Sequence, residues 1–184
     1  MKNILFLILA LSLTVISYSQ TTTKANVNKK ANQISIPDSI LNTFTYPSLS
    51  EAEKMLKEPA HLKDSTWDFE GGVWKFKCKY WANTLKDSVK WIRTEMFYAM
   101  EQFKTTAEAK SFFDSFKSEN QKTLVVKELK QVGDEAFLVK DVLNNPFILI
   151  LKNARLYKFK VYNLNRDSAS DELLLLVNKI VPAF

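Results

Sequence analysis

His61 is the only histidine in the 184-residue chain, so a histidine-dependent acid–base mechanism would have to run through it. Asp64, Asp68 and Glu70 follow closely, and Glu135 supplies a further carboxylate for a hydrolytic site near His61. Such a site also needs an activated nucleophile. The sequence has neither a nucleophile-elbow serine motif nor a papain-like cysteine context. The same acids lack a His-x-x-x-His pair, clustered cysteines or a calcium-loop pattern, so no metal is expected. His61 is therefore expected to be a loop or packing residue, and the acids a solvated loop. Gly71-Gly72 opens no helix and is followed by no Lys-Ser/Thr, which leaves it short of a phosphate cradle; a strand start or bulge is expected, and no cofactor. Gly133-Asp134-Glu135 places two carboxylates together, but neighbours on an extended chain point apart and Gly-Asp is turn chemistry.

Lys75, Lys77 and Lys79 alternate along the chain, and Trp81 extends the same parity. A basic strip with an aromatic can hold an anionic glycan, a lipid head group or a nucleic-acid strand, and these four are the candidate ligand-binding residues. The plain alternative is an exposed strand face on which lysines discourage aggregation. Nucleic acid is not expected, because no recognition motif is present and the net charge is only +6. Cys78 lies on the opposite parity with Trp74, Phe76 and Tyr80 and reads as a small core residue. As the sole cysteine it cannot form an internal disulfide.

Positioning these residues requires the following elements. Ser48-Leu49-Ser50-Glu51 is a capping box opening a short helix through Ala52, Met55 and Leu56 to Pro59. A strand from Val73, a turn over residues 82–88 and a second strand over 89–100 form a hairpin. Thr105-Thr106-Ala107-Glu108 repeats the capping box, and Ala109, Phe112, Phe113 and Phe116 recur at helical spacing. That aromatic stripe reads as a face packed on a sheet. Four strands are expected over 124–129, 136–142, 147–152 and 156–164, with 147–151 apolar on both faces and thus central. A last helix opens at Ser168 and presents Leu173, Leu174, Val177 and Ile180. The result is an α+β domain, a largely antiparallel sheet of about six strands in the order α-β-β-α-β-β-β-β-α. The recurring strand pair and helix, 73–117 and 136–180, suggests a duplication.

Residues 1–19 have the three parts of a cleavable signal peptide: Lys2, the apolar run Ile4 to Leu13, and Ser17-Tyr18-Ser19 before Gln20. The run is shorter than the roughly 20 residues that span a bilayer, and no cysteine nearby accepts a lipid. Cleavage takes the formal charge from +6 to +5, since Lys2 is the only charged side chain removed. Residues 20–45 read as a flexible leader and lead-in, of which Ile36 to Tyr46 is apolar enough to lie on the domain. Residues 46–184 make a single domain. An exported chain, periplasmic or secreted, is expected.

Several motifs are shared with a known group. Pro47-Ser48-Leu49-Ser50-Glu51-Ala52-Glu53-Lys54-Met55-Leu56, Pro59-Ala60, Cys78-Lys79-Tyr80, Ala107-Glu108-Ala109, Asn120 and Val132-Gly133-Asp134-Glu135-Ala136-Phe137 resemble uncharacterised exported proteins of Bacteroidota. The plan is more distantly similar to PsbP-like extracytoplasmic lipoprotein and sensor domains. Two places depart from the pattern: Lys57-Glu58-Pro59 replaces a Leu-Gly-x-Pro ending, and Asp141 to Asn145 replaces a charged segment. The resemblance implies a fold and a location and carries over no catalytic residue. The leading expectation is a non-catalytic extracytoplasmic module that binds an envelope protein, an envelope component or a small amphipathic molecule. A hydrolase using His61, Asp64 and Glu135, or an anionic polymer on Lys75, Lys77 and Lys79, are the alternatives.

Overall fold

The computed structural model describes residues 35–164 and 166–181. The expected signal peptide and most of the leader lie outside the described residues. Alternation of apolar and polar side chains produces seven strands: β1 (Ala60–Glu70), β2 (Val73–Asp87), β3 (Ile92–Gln102), β4 (Lys127–Leu129), β5 (Glu135–Lys140), β6 (Pro146–Lys152) and β7 (Arg155–Tyr162). They form one sheet in the order β1-β2-β3-β7-β6-β5-β4, and each neighbouring pair is antiparallel. The helices are α1 (Asp38–Leu41), α2 (Leu49–Leu56), α3 (Thr106–Gln121) and α4 (Ala169–Ile180). Both capping boxes form. The Ser48 amide donates to Glu51 at 2.7 Å and the Thr105 amide to Glu108 at 3.2 Å, while each hydroxyl accepts the amide three residues on.

The α+β class and the antiparallel sheet are as expected, and the differences lie in the elements. β1 is an additional strand where a loop was expected. It is an edge strand on which only Ala60 is buried and Trp67 half-buried, and a bulge between Leu62 and Asp64 shifts its parity, so its apolar alternation is short. Gly71 and Gly72, at φ 59° and 81°, are the two-residue turn joining β1 to β2 rather than a strand start. The next turn lies beyond Asp87, later than residues 82–88, because the Asp87 carboxylate accepts the amides of Val89 and Lys90, both at 3.0 Å. β4 is shorter than expected. α1 follows Pro37, a residue suited to a helix start.

α2 and α4 cover one face of the sheet, where Phe76, Cys78, Tyr80, Met96, Tyr98, Ile148, Ile150, Phe159 and the α4 residues Leu173, Val177 and Ile180 form the main core. α3 covers the other face through Ala109 and Phe113, packed on Phe137, Val139, Leu149, Leu151 and Leu156. Ile148 to Leu151 of β6 are all buried, as a strand covered on both sides must be. Each such fully buried aliphatic or aromatic side chain contributes about 2 kcal/mol. α3 and α4 follow their strand pairs on opposite faces. A dyad normal to the sheet would put both on one face, so the repeated pattern is not a simple rotational copy. α3 packs on β6 and β7, and its face of the sheet is open over β1 and β2.

Ile36 to Pro47 crosses the α2/α4 face. Phe44 packs against Trp67 and Phe76 at 4.8 and 4.6 Å between ring centroids. The Tyr98 hydroxyl donates to Thr45 O at 2.7 Å and that of Tyr80 to Pro47 O at 2.5 Å.

Candidate functional site

Lys75, Lys77, Lys79 and Trp81 share the open face. Opposite them on β1 stand Asp68, Thr66, Asp64 and His61, and on β3 Glu101, Ala99, Phe97 and Glu95. The lysine row therefore runs between two rows containing carboxylates. Lys75 Nζ lies 2.7 Å from Glu70 Oε2, and Lys79 Nζ lies 3.7 Å from Glu95 Oε1. The Trp81 indole donates to the other Glu95 oxygen at 2.8 Å, and Lys63 stands 4.6 Å above the Trp81 ring. On β7, Lys158 meets Glu101 at 2.6 Å and Lys160 meets Asp141 at 3.0 Å. The hydrogen bond from Lys75 holds the Glu70 carboxyl below its usual range, and Glu70 in turn raises the Lys75 ammonium. Lys77 forms no ion pair among the described residues. A long polyanion laid here would meet carboxylates on both sides of the lysines.

The residues of the hydrolytic alternative are far apart. His61 is exposed on β1, its Nδ1 2.7 Å from Asn83 Oδ1. Asp64 shares its face opposite Lys79, but Glu135 lies on β5, across β2, β3, β7 and β6, and pairs with Lys110 at 2.9 Å. Ordinary strand spacing makes that separation about 24 Å. Cys78 is fully buried, and burial pushes its thiol up to about 12, so it is un-ionised at neutral pH. Among the described residues, no three His, Cys, Asp or Glu side chains converge as a metal set.

The Gly-Asp-Glu segment is positioned by packing. At Gly133, φ is 59° and a Cβ would stand 2.6 Å from both the Leu151 carbonyl oxygen and Ile150 Cγ2, so only glycine fits this approach. The Asp134 amide donates to that Leu151 carbonyl at 2.8 Å, and the Asp134 carboxylate accepts the Asn153 amide at 2.6 Å. The motif thereby ties the start of β5 to the β6–β7 corner, where Asn153 adopts φ 54°.

A different grouping forms where the sheet outruns α2 and α4. The register places Phe69, Trp74, Gln102, Arg155 and Lys152 in one row across β1, β2, β3, β7 and β6. Phe69 and Trp74 pack at 4.8 Å between centroids, and Phe69 is 45% exposed. Residues 37–45 pass over the row, leaving two adjoining cavities of about 420 and 400 Å³ with Gln102 and Arg155 in the wall of both. The first is lined by Phe69, Trp74 and Phe103 together with Ile40 and Lys104, and the second by Thr43, Thr45, Tyr157 and Lys152.

Arg155 has no carboxylate partner among the described residues. Its Nε donates to Gln102 Oε1 at 2.5 Å, and its two Nη groups to the carbonyl and hydroxyl oxygens of Thr43 at 2.9 and 2.5 Å. Two of its five N–H groups have no partner among the described residues. Among the described residues, neither cavity has an aspartate or glutamate in its lining. Lys152 is buried, 7% exposed, and desolvation lowers its ammonium against the raising effect of Asp134. Sequence reading did not find this group. Trp74 reads as core and Arg155 as a hairpin corner, and only strand register unites residues 81 positions apart.

Among the described residues, no helix is long and apolar enough to cross a membrane. Comparison of the chain with protein-family models, curated proteins and solved structures finds no significant match.

Proposed function

We propose that the protein is an exported, non-catalytic binding module of the bacterial envelope, and that it holds a small amphipathic molecule in the two-lobed cleft at the end of the sheet. One observation carries this reading: Phe69 and Trp74 provide an aromatic wall beside a guanidinium that no carboxylate neutralises among the described residues. Binding pockets of a few hundred Å³ typically combine such apolar walls with a few placed polar groups. The non-catalytic part rests on the dispersal of His61, Asp64 and Glu135. Export rests on the Lys2, Ile4–Leu13 and Ser17-Tyr18-Ser19 pattern and on the resemblance to exported Bacteroidota proteins. An envelope protein seated on the cleft and an anionic polymer on the Lys75, Lys77 and Lys79 face are the competing occupants.

The test is to express the full chain in a bacterial host, fractionate the cells and sequence the amino terminus of the product. The expected product lies outside the cytoplasm and begins at Gln20. Denaturing extraction followed by mass spectrometry should then release a stoichiometric small amphiphile, and its release should be lost in Trp74→Ala. Cytoplasmic retention with Met1 intact overturns the export claim; a ligand that remains in Trp74→Ala overturns the site.

A further inference from the structure

We infer that the molecule bound in the end cleft is an organic anion, a carboxylate or a phosphate monoester, whose headgroup meets Arg155 and whose aromatic or acyl body lies on Phe69 and Trp74. This inference rests on the small-molecule reading of the cleft. The planar fork of a guanidinium matches the two oxygens of a carboxylate or phosphate, and a partly desolvated charge without an anion lacks compensation. Here the fork is held by neutral oxygens instead, Gln102 Oε1 and the two oxygens of Thr43. Those contacts orient the cation without cancelling it.

The rest of the lining points the same way. Lys104 is exposed at the mouth of the first lobe and forms no ion pair among the described residues. Phe69, Trp74, Phe103 and Ile40 give that lobe an apolar body, and no acid stands among its described lining residues. An uncharged ligand would leave the guanidinium uncompensated. A cationic one would face it directly, at a Coulomb cost unrelieved by any lining carboxylate. Oxyanions of carboxylate or phosphate type satisfy the remaining N–H groups by charge-assisted hydrogen bonds, which are roughly twice as strong as neutral ones.

Two matched probes separate the headgroup claim from the cleft claim. Naphthalene-2-carboxylate and naphthalene-2-carboxamide share one apolar body and differ in charge. Their affinities are measured by calorimetric titration of the wild-type protein, with amide shifts at Phe69 and Trp74 reporting the place of binding. The carboxylate is expected to bind about tenfold more tightly than the amide, the order of one charge-assisted pair. Arg155→Gln should bring the two probes to equal affinity. Lys104→Glu, an exposed change that leaves the Thr43 contacts intact, should weaken the carboxylate by severalfold and leave the amide unchanged; it decides the matter if Arg155→Gln folds poorly. Equal binding of both probes by the wild type overturns the anion inference while the small-molecule reading stands. Failure of both below about 1 mM, a free energy of roughly 4 kcal/mol, overturns both. Carboxylate preference that persists in Arg155→Gln places the headgroup elsewhere and overturns this assignment.

Discussion

Two parts of the molecule carry basic side chains, and they differ in what surrounds them. On this face of the sheet, Lys75 and Lys79 over its open part, and Lys158 and Lys160 on β7 toward α3, have carboxylate partners on other elements. At the end of the sheet, Arg155 meets neutral oxygens only among the described residues. The first region presents more cations, and a lysine paired with a carboxylate at about 3–4 Å is largely cancelled at a distance. The second presents fewer cations, next to an aromatic wall. A count of lysines along a strand leaves out their compensation by acids on neighbouring strands, which only register supplies.

Removing the contacts of one cation in each region gives the sharpest separation. Glu101 and Lys158 are 14% and 17% exposed, and Lys158 also lies 5.1 Å from the Phe112 ring. Glu101→Ala leaves that ammonium half-enclosed without a partner, and a loss of about 2–3 kcal/mol is expected, below the full cost of breaking a wholly buried pair. Arg155→Gln removes bonds to oxygens that water can reach, and about 1 kcal/mol is expected. Urea denaturation of the two variants measures the difference. If Arg155→Gln costs as much as Glu101→Ala, Arg155 is a structural anchor and the contrast between the regions collapses.

The next effect is smaller and concerns polyanions. If acidic neighbours silence the lysine row, the combined Glu70→Gln, Glu95→Gln and Asp68→Asn changes should turn the open face into a basic one. Retention on immobilised heparin should then move to higher salt by an amount on the order of 0.1 M. The wild type should elute early, and Lys75→Glu, Lys77→Glu and Lys79→Glu together should alter its elution little. Strong wild-type retention that those three changes abolish would restore the polymer reading at the expense of the cleft.

What the residues reveal before folding follows from the range of each interaction. Capping boxes at Ser48 and Thr105 are local, and both form as read. The two-sided burial of Ile148 to Leu151 follows from an unbroken apolar run. β1 was not legible, because an exposed edge strand needs few apolar residues and its bulge breaks the period. The alternation of Lys75, Lys77, Lys79 and Trp81 on one face was legible, while the acids facing them were not, since Glu95 and Glu101 arrive on the next strand. The Arg155 cleft is wholly non-local, assembled from β1, β2, β3, β7 and the chain that crosses them.

The smallest expected effect is a difference in acid sensitivity. Lys75 holds the Glu70 carboxyl below its ordinary value. A carboxyl whose folded value is lowered stabilises the fold above its unfolded value, ordinarily about 4.3, and loses that contribution as pH falls through the folded one. The Lys75–Glu70 pair should thus persist from pH 8 to about 5 and weaken only in more acidic solution. Replacing Glu70 by Gln should leave the denaturation midpoint nearly unchanged at pH 7, because the pair is exposed, and slightly flatten its decline below about pH 4. Among the described residues, the end cleft has no carboxyl in its lining to titrate. Binding of naphthalene-2-carboxylate should accordingly stay constant from pH 8 to 5, a range in which the probe is ionised and Arg155 is charged. A decline in affinity across that interval would mean that a titrating group of the protein stands beside Arg155, and the contrast between a compensated and an uncompensated region would fail.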